Sequence, residues 1–114
     1  MPSCYNNTMP STTTKQSACL NNFKELTTKM CVQKGWHKAS VEQVWLYLIE
    51  EIGELAGSIR RSKNQYKDDK RVKLEDEMGD VFSYLFQIAG MLNIDLDSMW
   101  VKNQNKAYKK VYVT

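Results

Sequence analysis

From residue 17 to about 110, apolar residues recur at intervals of three and four, the repeat of an amphipathic helix. Strand-like alternation is absent apart from a short VYV run at 111–113. In the first segment Leu20, Phe23, Leu26 and Met30 form the stripe, and Gly35 is the expected stop. Ser40 followed three residues later by Gln43 has the form of a capping box and opens the second helix. Along that helix Val44, Leu48, Ile52, Leu55 and Ile59 fall within about 60° of Val41, and Trp45 and Ala56 widen the same face. Gly53 and Gly57, four apart, would permit a close helix crossing. A third helix starts near Asp68 or Asp69, with Leu74, Met78, Val81, Leu85, Ile88, Ala89 and Leu92 as its stripe. Asp95 is the expected cap of a fourth, which carries Met99, Val101 and Tyr108.

These patterns predict an all-α fold, a compact bundle of four main helices over 17–34, 40–61, 69–92 and 96–109. Residues 1–16 hold both prolines, many Ser, Thr and Asn, and a single charge at Lys15, so a flexible N-terminal tail is expected there. The helical domain then covers 17–110, and 111–114 form a C-terminal tail. Phe82, Tyr84, Phe86 and Met91 broaden the third stripe beyond what one partner helix covers. An oligomer, a homodimer or homotetramer, is therefore expected.

Composition narrows the function. At 114 residues the chain suits one domain with a modest core, 42% of it hydrophobic and 25% charged. A net charge of +3 is too small to imply nucleic acid or a membrane as partner. No apolar run approaches the roughly 18 residues of a membrane span, and the N-terminus has neither a basic start nor an apolar core. Three cysteines, none closely paired, and one histidine fit neither a disulfide framework nor a zinc site. An intracellular, cytoplasmic location is expected. Charge is concentrated only between Arg60 and Lys73, where seven basic residues face two acidic ones, either as a solvated turn or as a patch that steers an anionic substrate.

The chemistry lies in two acidic motifs, E-E-I-G-E at 50–54 and E-D-E-M-G-D at 75–80. Glu51 and Glu54 are three apart on the flank of the second helix's apolar face, and Glu50 points further back. On the third helix Glu77 and Asp80 repeat the spacing. Glu77 intrudes on the apolar stripe, a costly position for an uncompensated carboxylate. Glu75 and Asp76 fall on the solvent side. If the two helices pack antiparallel, Glu51, Glu54, Glu77 and Asp80 converge without a cation among them. Hard oxygen donors of this kind select Mg²⁺, with Mn²⁺ the alternative. The competing reading is a set of surface ion pairs with nearby Lys and Arg.

With the Gly35-Trp36 pair, the E-I-G-E-L-A run at 51–56 and E-M-G-D-V-F at 77–82, the sequence resembles the MazG-like, all-alpha nucleoside triphosphate pyrophosphohydrolases. The resemblance covers roughly residues 17–110. It implies hydrolysis of nucleoside or deoxynucleoside triphosphates to the monophosphate and pyrophosphate in a homodimer or dimer of dimers. Glu51, Glu54, Glu77 and Asp80 match the family's Mg²⁺ ligands, and Glu50 matches the leading acid of the first motif. Glu50 or Glu54 would then orient or deprotonate the attacking water. Lys102, Asn105 and Lys106, ahead of Tyr108, correspond to a downstream basic-aromatic stretch and would bind substrate. Trp36 either plugs the end of the bundle or stacks on the base. There is no P-loop, and a di-iron site would need histidines that the chain lacks. The rival from another class is a non-enzymatic helical interaction or RNA-binding protein that uses the basic 60–73 segment.

Overall fold

The computed structural model describes residues 20–113, and among them only helices and turns occur. Helix α1 spans Leu20–Lys34, α2 Val41–Ser62, α3 Asp68–Met91 and α4 Leu96–Val113, with a single 3₁₀ turn at Trp36–Lys38 between the first two. The expected flexible tail, residues 1–16, lies outside the described residues. The VYV run is helical, since α4 continues through Val113. No helix among the described residues is long and apolar enough to cross a membrane.

Local signals place most boundaries. Gly35 ends α1 with φ of 78°, a left-handed conformation that costs glycine little. At Ser40 the capping box is complete: Gln43 N–H donates to Ser40 Oγ at 3.2 Å, and Ser40 N–H donates to Gln43 Oε1 at 3.0 Å. Asp95 Oδ1 accepts from the Ser98 N–H at 3.1 Å and so caps α4.

The starts of α1 and α4 also cap each other. Asp97 Oδ1 accepts from the backbone N–H of Leu20 at 2.9 Å, and Asn21 Oδ1 accepts from the Leu96 N–H at 2.9 Å. Asn21 Nδ2 donates to Asp95 Oδ1 at 2.9 Å and closes the loop. One side chain thus joins two helix ends. Asn21→Ala should lower unfolding stability by about 1–2 kcal/mol in a denaturant titration. Hydrogen bonds from Asn21 and then Ser98 hold the Asp95 carboxyl below its ordinary range. A carboxylate depressed on folding contributes fully above its unfolded value of about 3.9, and the contribution is lost as pH falls through the folded value. Asp95→Asn should therefore remove part of the stability change seen on acidification below about pH 4.

The chain packs mainly as α2 on α3, α3 on α1, and α1 on α4. Its radius of gyration, 16.6 Å, exceeds the roughly 13 Å of a compact chain of this length. The chain is more open than the compact bundle its sequence predicts. The close crossing expected at Gly53 and Gly57 is also elsewhere. A Cβ at Gly53 would meet nothing, and one at Gly57 only Arg61 of the same helix. At Gly90 of α3, by contrast, a Cβ would collide with the Thr28 hydroxyl of α1.

The buried seam of α2 differs from the expected stripe. Val44, Leu48, Ser58 and Ser62 are buried, and Val41, Glu51 and Leu55 are half-buried on the same side. The seam is rotated by about 60° from the apolar centre of the helix. Glu51 is therefore carried inward, while Trp45, Ile52 and Ile59 remain exposed. Met78, Phe82 and Leu85 of α3 are exposed as well.

Candidate active site

Helices α2 and α3 run antiparallel, and two contacts set their register. The rings of Tyr47 and Tyr84 lie 6.0 Å apart, and one turn further along α2 the Glu51 carboxyl comes close enough to Asp80 for each charge to disfavour the other. Advancing three residues along α2 and retreating three along α3 brings Glu54 opposite Glu77. Glu51, Glu54, Glu77 and Asp80 thus border one seam. Glu77 is buried at 6% exposure, Glu51 is half-buried, and Glu54 and Asp80 are exposed at the mouth.

The electrostatics fit this crowding. Burial raises the pKa of Glu51, and Glu54, Asp80 and Glu77 push it further upward. Each like charge nearby makes ionisation of Glu51 less favourable. Oε1 of Glu51 and Oε1 of Glu77 are buried and without a hydrogen-bond partner. The compensating charge in contact is Lys73, whose Nζ stands 3.5 Å from the other oxygen of Glu77. Among the described residues no three Asp, Glu, His or Cys side chains close on a point that could hold a metal ion. The donor set and its two orphaned buried oxygens fit a hard divalent ion.

Beside the acids lies a cleft of about 490 Å³ lined by Trp36, Ala39, Val44, Tyr47, Tyr84 and Gln87. Tyr84 joins the two regions. Burial raises its pKa, followed by the charges of Glu51 and Asp80, so the phenol stays neutral and available as a donor. Gln87 is buried, and its Nε2 donates to the Trp36 carbonyl at 3.5 Å. Trp36 keeps 51% of its surface exposed at the rim, with the Lys34 ammonium 5.5 Å from its ring.

The other sequence-assigned residues are placed as follows. Glu50 is exposed on α2, one position from Glu51. Glu75 is exposed and paired with Arg71 at 2.7 Å, and Asp76 is exposed too, as the helical angles require. Lys102 and Lys106 line a different cleft with Asp95, Ser98 and Met99, and Asn105 is exposed on the same helix. They are not gathered with the acids. Sequence reasoning gave too little weight to Tyr47 and Gln87, which look like ordinary seam residues until the cleft they border is seen.

An acidic seam between antiparallel helices, opening beside an aromatic cleft, marks the candidate site of this all-α protein. The model of the MazG nucleotide pyrophosphohydrolase domain matches residues 39–111, which includes both acidic motifs, Gln87 and all of α2, α3 and most of α4. The chain belongs to that family, and its activity class is nucleotide pyrophosphohydrolysis. No curated protein and no solved structure gives a significant match.

Proposed function

We propose that this protein hydrolyses nucleoside or deoxynucleoside triphosphates to the monophosphate and pyrophosphate in a Mg²⁺-dependent reaction. The observation that carries the reading is the pair of orphaned oxygens on Glu51 and Glu77, buried in one seam next to the aromatic cleft. Surface ion pairing does not account for them, because Lys73 reaches the other oxygen of Glu77 and leaves both buried oxygens without a donor. An RNA-binding role would leave them equally unexplained.

Glu51, Glu54, Glu77 and Asp80 would hold Mg²⁺, or Mn²⁺ in its place. Bound there, the ion would neutralise phosphate charge and lower the pKa of a water. Glu54 at the mouth, or Glu50 beside it, orients that water and accepts its proton. The water oxygen bonds to the α-phosphorus while the bond from phosphorus to the bridging oxygen breaks, and pyrophosphate leaves with the bonding pair. Trp36, Tyr47 and Tyr84 give the nucleoside an aromatic wall, with Trp36 stacking on the base. Phosphate binding by Lys102, Asn105 and Lys106 finds no support within one protomer.

The active form is a homodimer or homotetramer. Trp45, Ile49, Ile52 and Ile59 on α2 and Met78, Phe82 and Leu85 on α3 are large apolar residues left exposed, and a second copy would cover them.

Pyrophosphate release from a panel of standard and modified triphosphates, with and without Mg²⁺, tests the reading. Release that ignores Mg²⁺, or no release from any triphosphate, would refute it. Trp36→Ala should raise KM about tenfold on the preferred substrate with little change in kcat, since stacking holds ground and transition state alike. An unchanged KM would remove Trp36 from the site.

A further inference from the structure

Gln87 is a buried polar side chain in the wall of the aromatic cleft, and the reaction as described makes no use of it. It is only 7% exposed. A carboxamide offers two N–H donors and a carbonyl oxygen with two lone pairs. Among the described residues its one hydrogen bond runs from Nε2 to the Trp36 carbonyl, and at 3.5 Å that bond is long. So poorly satisfied a buried amide suits the seam less well than leucine or methionine, unless a ligand completes it.

The Trp36 carbonyl decides which end of the amide a ligand meets. A carbonyl only accepts, so it draws the NH₂ group toward itself and leaves Oε1 for other partners. Oε1 has no donor in the protein, yet it is not sealed from solvent as the orphaned oxygens of Glu51 and Glu77 are. Gln87 also borders a smaller cavity with Thr28, Cys31 and His37, but at about 170 Å³ this lies below the roughly 300 Å³ at which ligand pockets begin. The cleft is therefore the side from which a ligand arrives.

The contacts across the seam order what that ligand would meet. Asp80 stands against Glu51, Tyr84 against Tyr47, and Gln87 against Trp36. On α3 the three follow at spacings of four and three and share one face. Seven residues of helix separate Asp80 from Gln87, roughly 10 Å, a distance comparable to the length of a nucleoside. With phosphates at the acids and the base on Trp36, the outer edge of the base reaches Gln87.

We infer that Gln87 reads the base of the substrate, Oε1 accepting a hydrogen bond from an exocyclic amine, so that the site favours the amino-bearing bases adenine and cytosine over their oxo counterparts. The inference rests on the hydrolase reading and narrows its substrate class. Hypoxanthine and uracil place an acceptor where adenine and cytosine place a donor, and two facing carbonyl oxygens repel. Turning the amide over would relieve that contact but would set Oε1 against the Trp36 carbonyl. Glutamine reads adenine by the same chemistry in DNA.

The test is pyrophosphate release by the full-length protein with Mg²⁺, comparing kcat/KM within two pairs, ATP against ITP and CTP against UTP, in ribo and deoxyribo forms. The parent should favour the amino member of at least one pair by about tenfold. The pair that shows it identifies adenine or cytosine. In Gln87→Met, similar in length but without the amide, the ratio should fall to within about twofold, because the amino substrate loses its hydrogen bond. The melting temperature without nucleotide should not fall, since one long hydrogen bond supports the fold little. Trp36→Ala gives the contrast: it removes the stacking ring and keeps the backbone carbonyl, so both members of a pair should lose alike.

Equal kcat/KM within both pairs, or preference for the oxo members, would overturn the assignment and leave the hydrolase reading standing. So would equal losses within each pair in Gln87→Met, the mark of an amide that only holds the Trp36 turn. If that variant does not fold, the parent's two ratios still decide. A parent that hydrolyses other triphosphates but none of these would overturn it too. If no triphosphate releases pyrophosphate, the hydrolase reading falls and the base assignment with it.

Discussion

Glu77→Gln should lose at least about 100-fold in triphosphate hydrolysis, or nearly 3 kcal/mol of transition-state stabilisation, while melting at a higher temperature than the parent when both are free of metal. The two halves of this result have one cause. Glu77 is buried, one of its oxygens has no donor, and the other has only the exposed Lys73 at 3.5 Å. A pair with such an exposed partner contributes little, whereas the desolvated charge is expensive. The amide keeps the shape and removes the charge, along with its repulsion of Glu51. A gain of about 1 kcal/mol corresponds to about 4–8 °C in a domain of this size. Added Mg²⁺ should raise the parent's melting temperature and leave that of the variant nearly unchanged. Glu75→Ala is the internal control, because Glu75 is paired with Arg71 at the surface and should stay within a few-fold of full activity. Full activity in Glu77→Ala, or equal damage in Glu75→Ala, would be fatal to the metal assignment.

Phe82→Asp should convert the assembly to monomers of 13.3 kDa in light scattering, with helix content retained. Phe82 is 52% exposed in the protomer, where its ring is 6.2 Å from that of Phe86. Half of a large apolar side chain is thus left facing water, in line with Leu85 and Met78 on the same side of α3. The protomer does not need that half to fold, so a charge there adds little strain. Across an interface the same charge would be buried unpaired, a cost of several kcal/mol per subunit. Leu46→Asp, on another face of α2, should leave the mass unchanged despite the 60% exposure of Leu46. A monomer mass for the parent at assay concentration would end the oligomer proposal.

Much of the site was legible before any coordinates. Paired acids at i and i+3 on two neighbouring helices mark a shared face, because helical geometry alone aligns those positions. The angles also place Glu75 and Asp76 on the solvent side, where both are exposed, and Glu77 in the apolar stripe, where it is buried. The depth of each acid was not legible. Glu51 was expected on a flank and lies in the seam, since α2 has apolar residues over so wide an arc that periodicity does not choose which part is covered. Glu77 was placed better because its apolar neighbours leave less choice.

The sequence by itself determined the features that are decided within a few residues. Ser40 with Gln43, Gly35 and Asp95 place helix ends through hydrogen bonds and backbone freedom that need no distant partner. The tertiary structure decided everything that depends on two segments meeting. Only packing could turn Glu51 inward and Ile52 outward, set Tyr47 against Tyr84, or bring Asn21 to Asp95 across 74 residues. An amphipathic helix carries its pattern in its own order, but its rotation about its axis costs nothing until another helix covers one side.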